Sequence, residues 1–397
     1  MRILILDGKE NQALAASRSL AKKGFTITCA DDTLLSKSFY SKSCSRHFVY
    51  KSPRLDINAF LEDIYEELNR HKYAAILPMT EKTIWPISIS RDKFLKKTLL
   101  LIPPHEILIN ALDKRITIGV AEKLRIPIPK TWIIDDGKDI HIPFNEILYP
   151  VVIKPAKSEN IIKNQVVAGG QPLYANNLCE LRQAVRQFSQ RSIDCIIQEF
   201  IPGTGQGIFS LFSENEPIVY FAHNRLRDIR PTGSGSSLRE STKPDNRLIG
   251  YSNKLLVAIK WQGVAMVEFR KDSRSGKPIL MEVNGRFWNS LPLAIVSGVD
   301  FPHLLFKSFA GFPISAIHNY KNQVKCRWLI GDIRHFIEVM IGKPKNFTGQ
   351  FPKRYSTIKA MLRDSIDRTI YYDVWSTKDP RPFLVEVLEL ILRALHR

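Results

Sequence analysis

At 397 residues the chain is too long for one ordinary core and suits two or three packed subdomains. Hydrophobic residues at 44% and charged residues at 24% are ordinary globular values, which exclude wholesale disorder. The net charge of +19 favours anionic partners such as nucleotide phosphates, yet no long Lys/Arg block, zinc-finger or basic-zipper pattern is present, so no nucleic-acid partner is expected.

In chain order, Arg2–Asp7 reads as a buried strand, Asn11–Lys23 as a helix ending at Gly24, and Phe25–Ala30 as a second strand. Helices over Ile57–His71 and near Glu81–Arg91, with strands over Ala74–Pro78 and Thr98–Ile102, continue a β-α-β pattern. This predicts an α/β N-terminal domain with an open parallel sheet over residues 1–110. Gly8-Lys9-Glu10 lacks the glycines that let a pyrophosphate approach the backbone, so no dinucleotide site is expected there. Thr80, where a strand gives way to a helix, reads as an N-cap, with a substrate contact as the alternative.

From residue 110 the texture becomes α+β. A helix opens at Ala111-Leu112-Asp113-Lys114 and stops at Ile126-Pro127-Ile128-Pro129. Strands follow at Val151–Lys154, Cys195–Phe200, Gly207–Phe212, Ile218–His223, Gly263–Arg270 and Ile279–Asn284, with helices near Leu178–Ser189 and Arg247–Lys260. The C-terminal stretch, residues 316–397, reads as a basic helical extension. Tyr320–Arg397 holds fifteen Lys/Arg against eight Asp/Glu and two apolar helical candidates, Trp328–Ile341 and Phe383–Leu395. The latter, with Arg393, His396 and Arg397, is a weak candidate for an anionic membrane surface, because Glu386 and Glu389 oppose it and such helices more often pack on their own domain. The five cysteines are scattered and never spaced as CxxC, and the N-terminus carries no signal-peptide pattern, so a cytoplasmic protein is expected.

The most informative stretch is Gly263–Ser290, two apolar strands around the turn Lys271–Lys277. Each strand carries a glutamate, Glu268 and Glu282, and a carboxylate inside an apolar strand is costly unless paired or bound to a cation. Strand alternation puts Glu282 and Asn284 on one face, with Arg286 next in line. Two glutamates and an amide oxygen form the hard-oxygen set that magnesium prefers when it also binds phosphates, and Arg286 suits phosphate oxygens. Either glutamate alone reads better as a sheet-edge ion pair; the set together favours the metal.

This hairpin resembles the metal-binding end of the ATP-grasp superfamily, and upstream motifs follow in the same order. Ala111-Leu112-Asp113-Lys114 with Ile126-Pro127-Ile128-Pro129-Lys130-Thr131 resembles the family's entry helix, which implies that Lys114 reaches the ATP phosphates. Val151-Val152-Ile153-Lys154-Pro155 resembles the strand supplying the second phosphate lysine, Lys154. Gln198-Glu199-Phe200-Ile201-Pro202-Gly203 resembles the hinge, which implies that the backbone of Phe200 and Ile201 reads adenine while Glu199 holds the ribose. Taken singly, Lys114 is an ordinary surface lysine and Glu199 an ordinary strand end. The resemblance spans residues 1 to about 310, divided as a preceding α/β domain, an ATP-grasp domain over residues 111–315, and the extension. One departure is that Ala156–Tyr174 holds Ser158, Lys163, Gly169 and Gly170 but no dense glycine cluster, so Ser158 and Lys163 would have to serve the phosphate flap.

Between hinge and hairpin, Arg225, Arg227 and Arg230 precede the Gly/Ser loop Gly233–Ser237, similar to an Arg-rich loop of an uncharacterised carboxylate–amine ligase branch. The resemblance implies Arg225, Arg227 and Arg286 as catalytic residues, ATP with Mg²⁺ (or Mn²⁺) as cofactors, and small-molecule carboxylate and amine substrates. Bicarbonate or carbamate activation, and a nucleotide-binding regulatory module without catalysis, are the alternatives. An oligomer is compatible with all three.

Overall fold

A computed structural model describes residues 1–134, 147–233, 235–317, 319–344, 347 and 349–395. Ser234, and His396 and Arg397, lie outside the described residues.

The first unit comprises β1 (Arg2–Ile5), α1 (Asn11–Lys22), β2 (Thr26–Asp31), β3 (Cys44–Val49), α2 (Ile57–Arg70), β4 (Ala75–Leu77), α3 (Glu81–Ile89), α4 (Arg91–Leu95) and β5 (Leu99–Leu100). Its five strands pair in parallel in the order β3-β2-β1-β4-β5. The apolar run Ile3-Leu4-Ile5 is buried on both faces, as a parallel strand between two helical layers requires. Asp7, just beyond β1, accepts from the backbone N–H of Met79 and Thr80 and the hydroxyl of Thr83, so it caps α3. Thr80 occupies the N-cap position, but its side chain makes no capping bond. The side-chain cap expected of Thr80 is therefore not made, and the Asp7 carboxylate instead holds the strand-to-helix turn from the neighbouring strand.

The link to the second unit is α5 (His105–Leu112) and α6 (Lys114–Lys123). The single helix expected to open at Ala111 is two. Asp113 leaves helical geometry at φ −97, ψ 111 and its carboxylate accepts from the Arg115 N–H. An aspartate bonds the backbone better at a helix start than inside one, so the break falls on it.

Next come β6 (Thr131–Ile134), β7 (Val151–Pro155), β8 (Glu159–Ile162), β9 (Gln165–Ala168), β10 (Leu173–Ala175), α7 (Leu178–Ser189) and β11 (Cys195–Glu199). Four of these strands form an antiparallel sheet in the order β10-β7-β11-β6, while β8 and β9 make a separate hairpin. That hairpin leans on the first unit: Ile57 N–H donates to Asn164 O at 2.9 Å and Val166 N–H to Pro53 O at 2.8 Å, with Arg54 bridging Glu159.

The third unit holds β12 (Gly203–Ser213), β13 (Glu216–Arg227), β14 (Leu238–Thr242), α8 (Asn246–Ala258), β15 (Gly263–Asp272), β16 (Pro278–Asn284), α9 (Leu291–Ser297) and α10 (Phe301–Phe309). The C-terminal segment adds β17 (Lys325–Arg327), α11 (Leu329–Ile341), α12 (Arg354–Ile366), β18 (Tyr371–Tyr372) and α13 (Arg381–Leu395). It is not purely helical, since β17 and β18 extend the central sheet, whose order is β16-β15-β12-β13-β14-β17-β18. The last helix, α13, packs back on the first unit, where buried Lys37 and Glu386 pair at 2.5 Å and Trp328 donates to the same carboxylate. The apolar faces of the central sheet and of the first unit share two continuous cores, so the two sheets are held together. No helix among the described residues is long and apolar enough to cross a membrane.

Candidate active site

The site forms where the four-stranded sheet faces the β15–β16 hairpin. Register places Glu268 directly opposite Glu282, and Asn284 opposite Met266, with a bulge after Glu268. Like charges at opposed positions repel, so this pairing needs cations nearby. Four supply it. Lys114 Nζ lies 3.9 Å from Glu282 Oε2, and Arg225 binds Glu268 at 2.7 Å. Lys154 couples electrostatically to both glutamates, and Arg286 to Glu282. Burial pushes the Glu268 carboxyl above the usual range against the pull of Arg225, whereas for Glu282 burial is outweighed by Lys114 and Lys154 and its carboxyl falls.

Each lysine is placed by its own element. Lys114 is the first residue of α6, and its N–H donates to Ala156 O at 2.9 Å, fixing the helix start to the end of β7. Lys154 points inward from β7 and donates to Gln198 Oε1 at 3.0 Å; Gln198 in turn donates to Thr131. Burial lowers the Lys154 ammonium to about 8. A cation held partly desolvated beside one neutral amide is prepared for an anion.

Arg225 reaches Glu268 across an intervening strand, a span of about 10 Å or two interstrand spacings. Strand β12 lies between β13 and β15 and is glycine at Gly205 and Gly207. A Cβ on Gly205 would stand 3.2 Å from Arg225 Cδ, so the missing side chain is the channel through which the arginine passes.

Arg286 donates to Glu81 at 3.2 Å, to Phe287 O at 3.0 Å and to Asn284 Oδ1 at 3.2 Å. Asn284 also donates to Glu282 at 3.2 Å. The guanidinium expected as a phosphate fork thus braces the hairpin against α3 of the first unit. Glu81 is buried, its second oxygen has no partner, and burial raises its carboxyl.

Between β11 and β12, Glu199 N–H donates to Lys130 O and Phe200 N–H to Pro150 O, while Ile201 O accepts from Arg270. With its N–H already bonded at 3.3 Å, Phe200 contributes its ring, which packs edge-on to Tyr174 and Phe347. The Glu199 carboxylate is half-exposed and accepts from Arg274 at 2.8 Å.

Two expected site residues stand apart. Arg227 should share a face with Arg225 by alternation, but a bulge between them turns it away. Its guanidinium is fixed by Asp332 and Asp364 beneath α11 and α12, which removes it from the set around Glu268. Ser158 is exposed at the base of the β8–β9 hairpin, where its carbonyl accepts from Gly169 N–H. The hairpin falls within Ala156–Tyr174, and Lys163 lies in its turn at φ 51, next to the Asn164 that docks on the first unit. Sequence reading passed over Gln198, Glu81 and His223. His223 is buried on the Arg225 face with both ring nitrogens unpartnered, and burial with Arg225 and Arg239 holds it well below the usual histidine range. Its signal was available: it stands two residues before Arg225 in an alternating strand.

No group of three or more His, Cys, Asp or Glu side chains that could hold a metal occurs among the described residues. The donor set at Glu268, Glu282 and Asn284 is two carboxylates and an amide oxygen, which fits a magnesium ion that takes its other ligands from phosphates and water.

Residues 192–331 match a family described as ATP-grasp in the biosynthetic pathway with Ter operon. No curated protein matches the chain. Among solved structures, the chain is similar to the L-amino acid ligase of Bacillus licheniformis (TM-score 0.58, 16% identity, covering 78% of this chain and 74% of that one). It is also similar to the biotin carboxylase domain of the Hydrogenobacter thermophilus 2-oxoglutarate carboxylase, crystallised with MgADP and bicarbonate (TM-score 0.65, 15% identity, 82% and 73% covered). A third is the Staphylococcus aureus N5-carboxyaminoimidazole synthetase complexed with ADP (TM-score 0.61, 14% identity, 82% and 80% covered). Two lysines and two glutamates thus converge between the sheets of a chain that shares the fold of these structures, and residues 192–331, which match the ATP-grasp family above, carry Glu268, Glu282 and Asn284.

Proposed function

We propose that this protein is an ATP- and Mg²⁺-dependent ligase that activates a substrate carboxylate and joins it to an amine. The observation that carries the reading is the cluster of Lys114 and Lys154 against Glu268 and Glu282, with Lys114 3.9 Å from Glu282. The four cations there exceed the two glutamates by two charges, fewer than a nucleoside triphosphate carries, so a divalent cation would complete the neutralisation. In this reading residues 1–110 are the substrate-side domain, residues 111–315 the ATP-grasp domain, and residues 316–397 an extension.

Lys114 and Lys154 would hold phosphate oxygens, and Glu268, Glu282 and Asn284 the magnesium, which supplies charge neutralisation at the transferred phosphoryl group. A carboxylate oxygen of the substrate attacks the γ-phosphorus and ADP leaves, giving an acyl phosphate. The amine nitrogen then attacks the acyl carbon, inorganic phosphate leaves, and the amine loses a proton. Arg225 and Arg286, fixed to Glu268 and Asn284, would keep the metal-side groups in register, which is the positioning and charge stabilisation this chemistry needs. Glu81 meets that assembly from the first unit through its bond with Arg286.

The experiment is ADP release by the purified protein with ATP, Mg²⁺ and mixtures of L-amino acids, chosen because one similar fold is an L-amino acid ligase. Glu282→Ala is expected to abolish substrate-dependent ADP formation while circular dichroism stays native. Near-normal turnover in that variant would sink the assignment. A second reading, bicarbonate activation, is supported by the bicarbonate complex among the similar folds. It predicts ADP release that depends on added bicarbonate without any carboxylate acid.

A further inference from the structure

Half of the exposed large apolar side chains among the described residues lie beyond residue 330. On α12, Tyr355, Ile358, Leu362 and Ile366 are 78%, 40%, 66% and 81% exposed, and helical spacing puts them on one stripe. On α11, Ile333, Ile337 and Ile341 make a second exposed stripe.

The inner faces of the two helices explain why these stripes point outward. Asp332 of α11 and Asp364 of α12 both bind Arg227, and Asp332 also binds Arg327. His335 Nδ1 meets the Asp228 carbonyl at 2.7 Å. Rotating either helix to bury its isoleucines would strip a buried arginine of its partner, which costs several kcal/mol. Buried charge therefore fixes the orientation, and the apolar stripe is left at the surface.

Cations predominate around the stripes. Arg334, Lys343, Lys353, Arg354, Lys359 and Arg363 are exposed. Of the carboxylates beside them, Glu338 bonds Arg334 at 2.9 Å, Asp364 pairs with Arg363 at 3.0 Å from below, and Asp367 accepts from Thr369 at the end of α12, which leaves Lys343, Lys353, Arg354 and Lys359 without a carboxylate partner among the described residues. The α13 helix has a similar stripe at Leu384, Leu388, Ile391 and Leu395, but there Glu389 balances Lys9 and Arg393.

We propose that the α11–α12 hairpin docks this protein on an anionic membrane surface, its isoleucines and leucine entering the headgroup boundary and its lysines and arginines binding lipid phosphates. A lipid surface satisfies both halves of the face, the apolar stripe and the uncompensated cations. A second copy would bring two like-charged faces together, and a nucleic acid would leave the isoleucines in water. This inference does not depend on the ligase reading.

Flotation of the full chain tests it, with vesicles of phosphatidylcholine alone and of phosphatidylcholine mixed with phosphatidylglycerol. The protein should float with the mixed vesicles and not with phosphatidylcholine, and raised salt should release it. The exposed pair Leu362→Glu/Ile366→Glu should lower partitioning about tenfold or more without changing the melting temperature. Lys353→Glu/Lys359→Glu should do the same through charge. The proposal is overturned if the wild-type chain does not float with anionic vesicles. It is equally overturned if the variants float as well as the wild type, if the face instead supports a dimer that Leu362→Glu/Ile366→Glu dissolves, or if it binds an oligonucleotide and no vesicle.

Discussion

Lys154 is a strand residue whose charge is held against its preference. Burial brings its ammonium to about 8, and Glu282 offsets part of that cost while Lys114 adds to it. An anion bound beside it raises the value, so the bound state keeps a proton that the free protein loses above pH 8. Nucleotide binding should therefore take up a proton above pH 8, and affinity should fall with rising pH by up to about tenfold per unit. Calorimetry in buffers of different ionisation enthalpy checks this. Proton uptake of zero between pH 8 and 9 would remove Lys154 from the phosphate site. Glu268 and Glu282 show the complementary case, in which two opposed carboxylates are moved in opposite directions by unlike neighbours.

Among the elements, β12 decides most. It enters the sheet at Gly203, at φ 136, where a Cβ would meet the Lys271 carbonyl at 1.9 Å. Two residues later Gly205 opens the passage for Arg225. Gly203→Ala combines a disfavoured backbone conformation with a backbone clash, so it should destabilise the protein by about 2 kcal/mol or more. Chemical denaturation would show this as a lower midpoint, and an unchanged midpoint would mean that the β12–β15 entry relaxes freely. The turn into β12 was legible in the sequence because Pro202-Gly203 punctuates it. The bulge that diverts Arg227 was not, since nothing in an alternating run of arginines marks the residue at which the register slips.

For the molecule as a whole, the C-terminal segment is structural as well as peripheral. Its strands β17 and β18 close the central sheet, α13 locks onto the first unit through Lys37 and Glu386, and α11 and α12 clamp Arg227. Asp332→Ala leaves Arg227 and Arg327 buried without that carboxylate, a loss of about 3–5 kcal/mol. Limited proteolysis of this variant should cut first between α11 and α12, while the N-terminal parallel sheet stays resistant. Uniform cleavage along the chain would show instead that the clamp holds the whole molecule together.

The sequence by itself determined the succession of an open parallel sheet, an α+β unit and a basic C-terminal segment, because apolar periodicity and turn residues act locally. It also singled out Glu268, Glu282 and Asn284 as a candidate set, because carboxylates in apolar strands at alternating spacing are conspicuous. The tertiary structure decided which cations answer those carboxylates. Lys114, Lys154 and Arg225 come from three elements, and Arg225 arrives only because the strand it crosses is glycine. It also decided that Arg227 serves the C-terminal helices and that Glu81, from the first unit, braces Arg286. Pairings of this kind depend on which strands become neighbours, and that is a property of the folded sheet order.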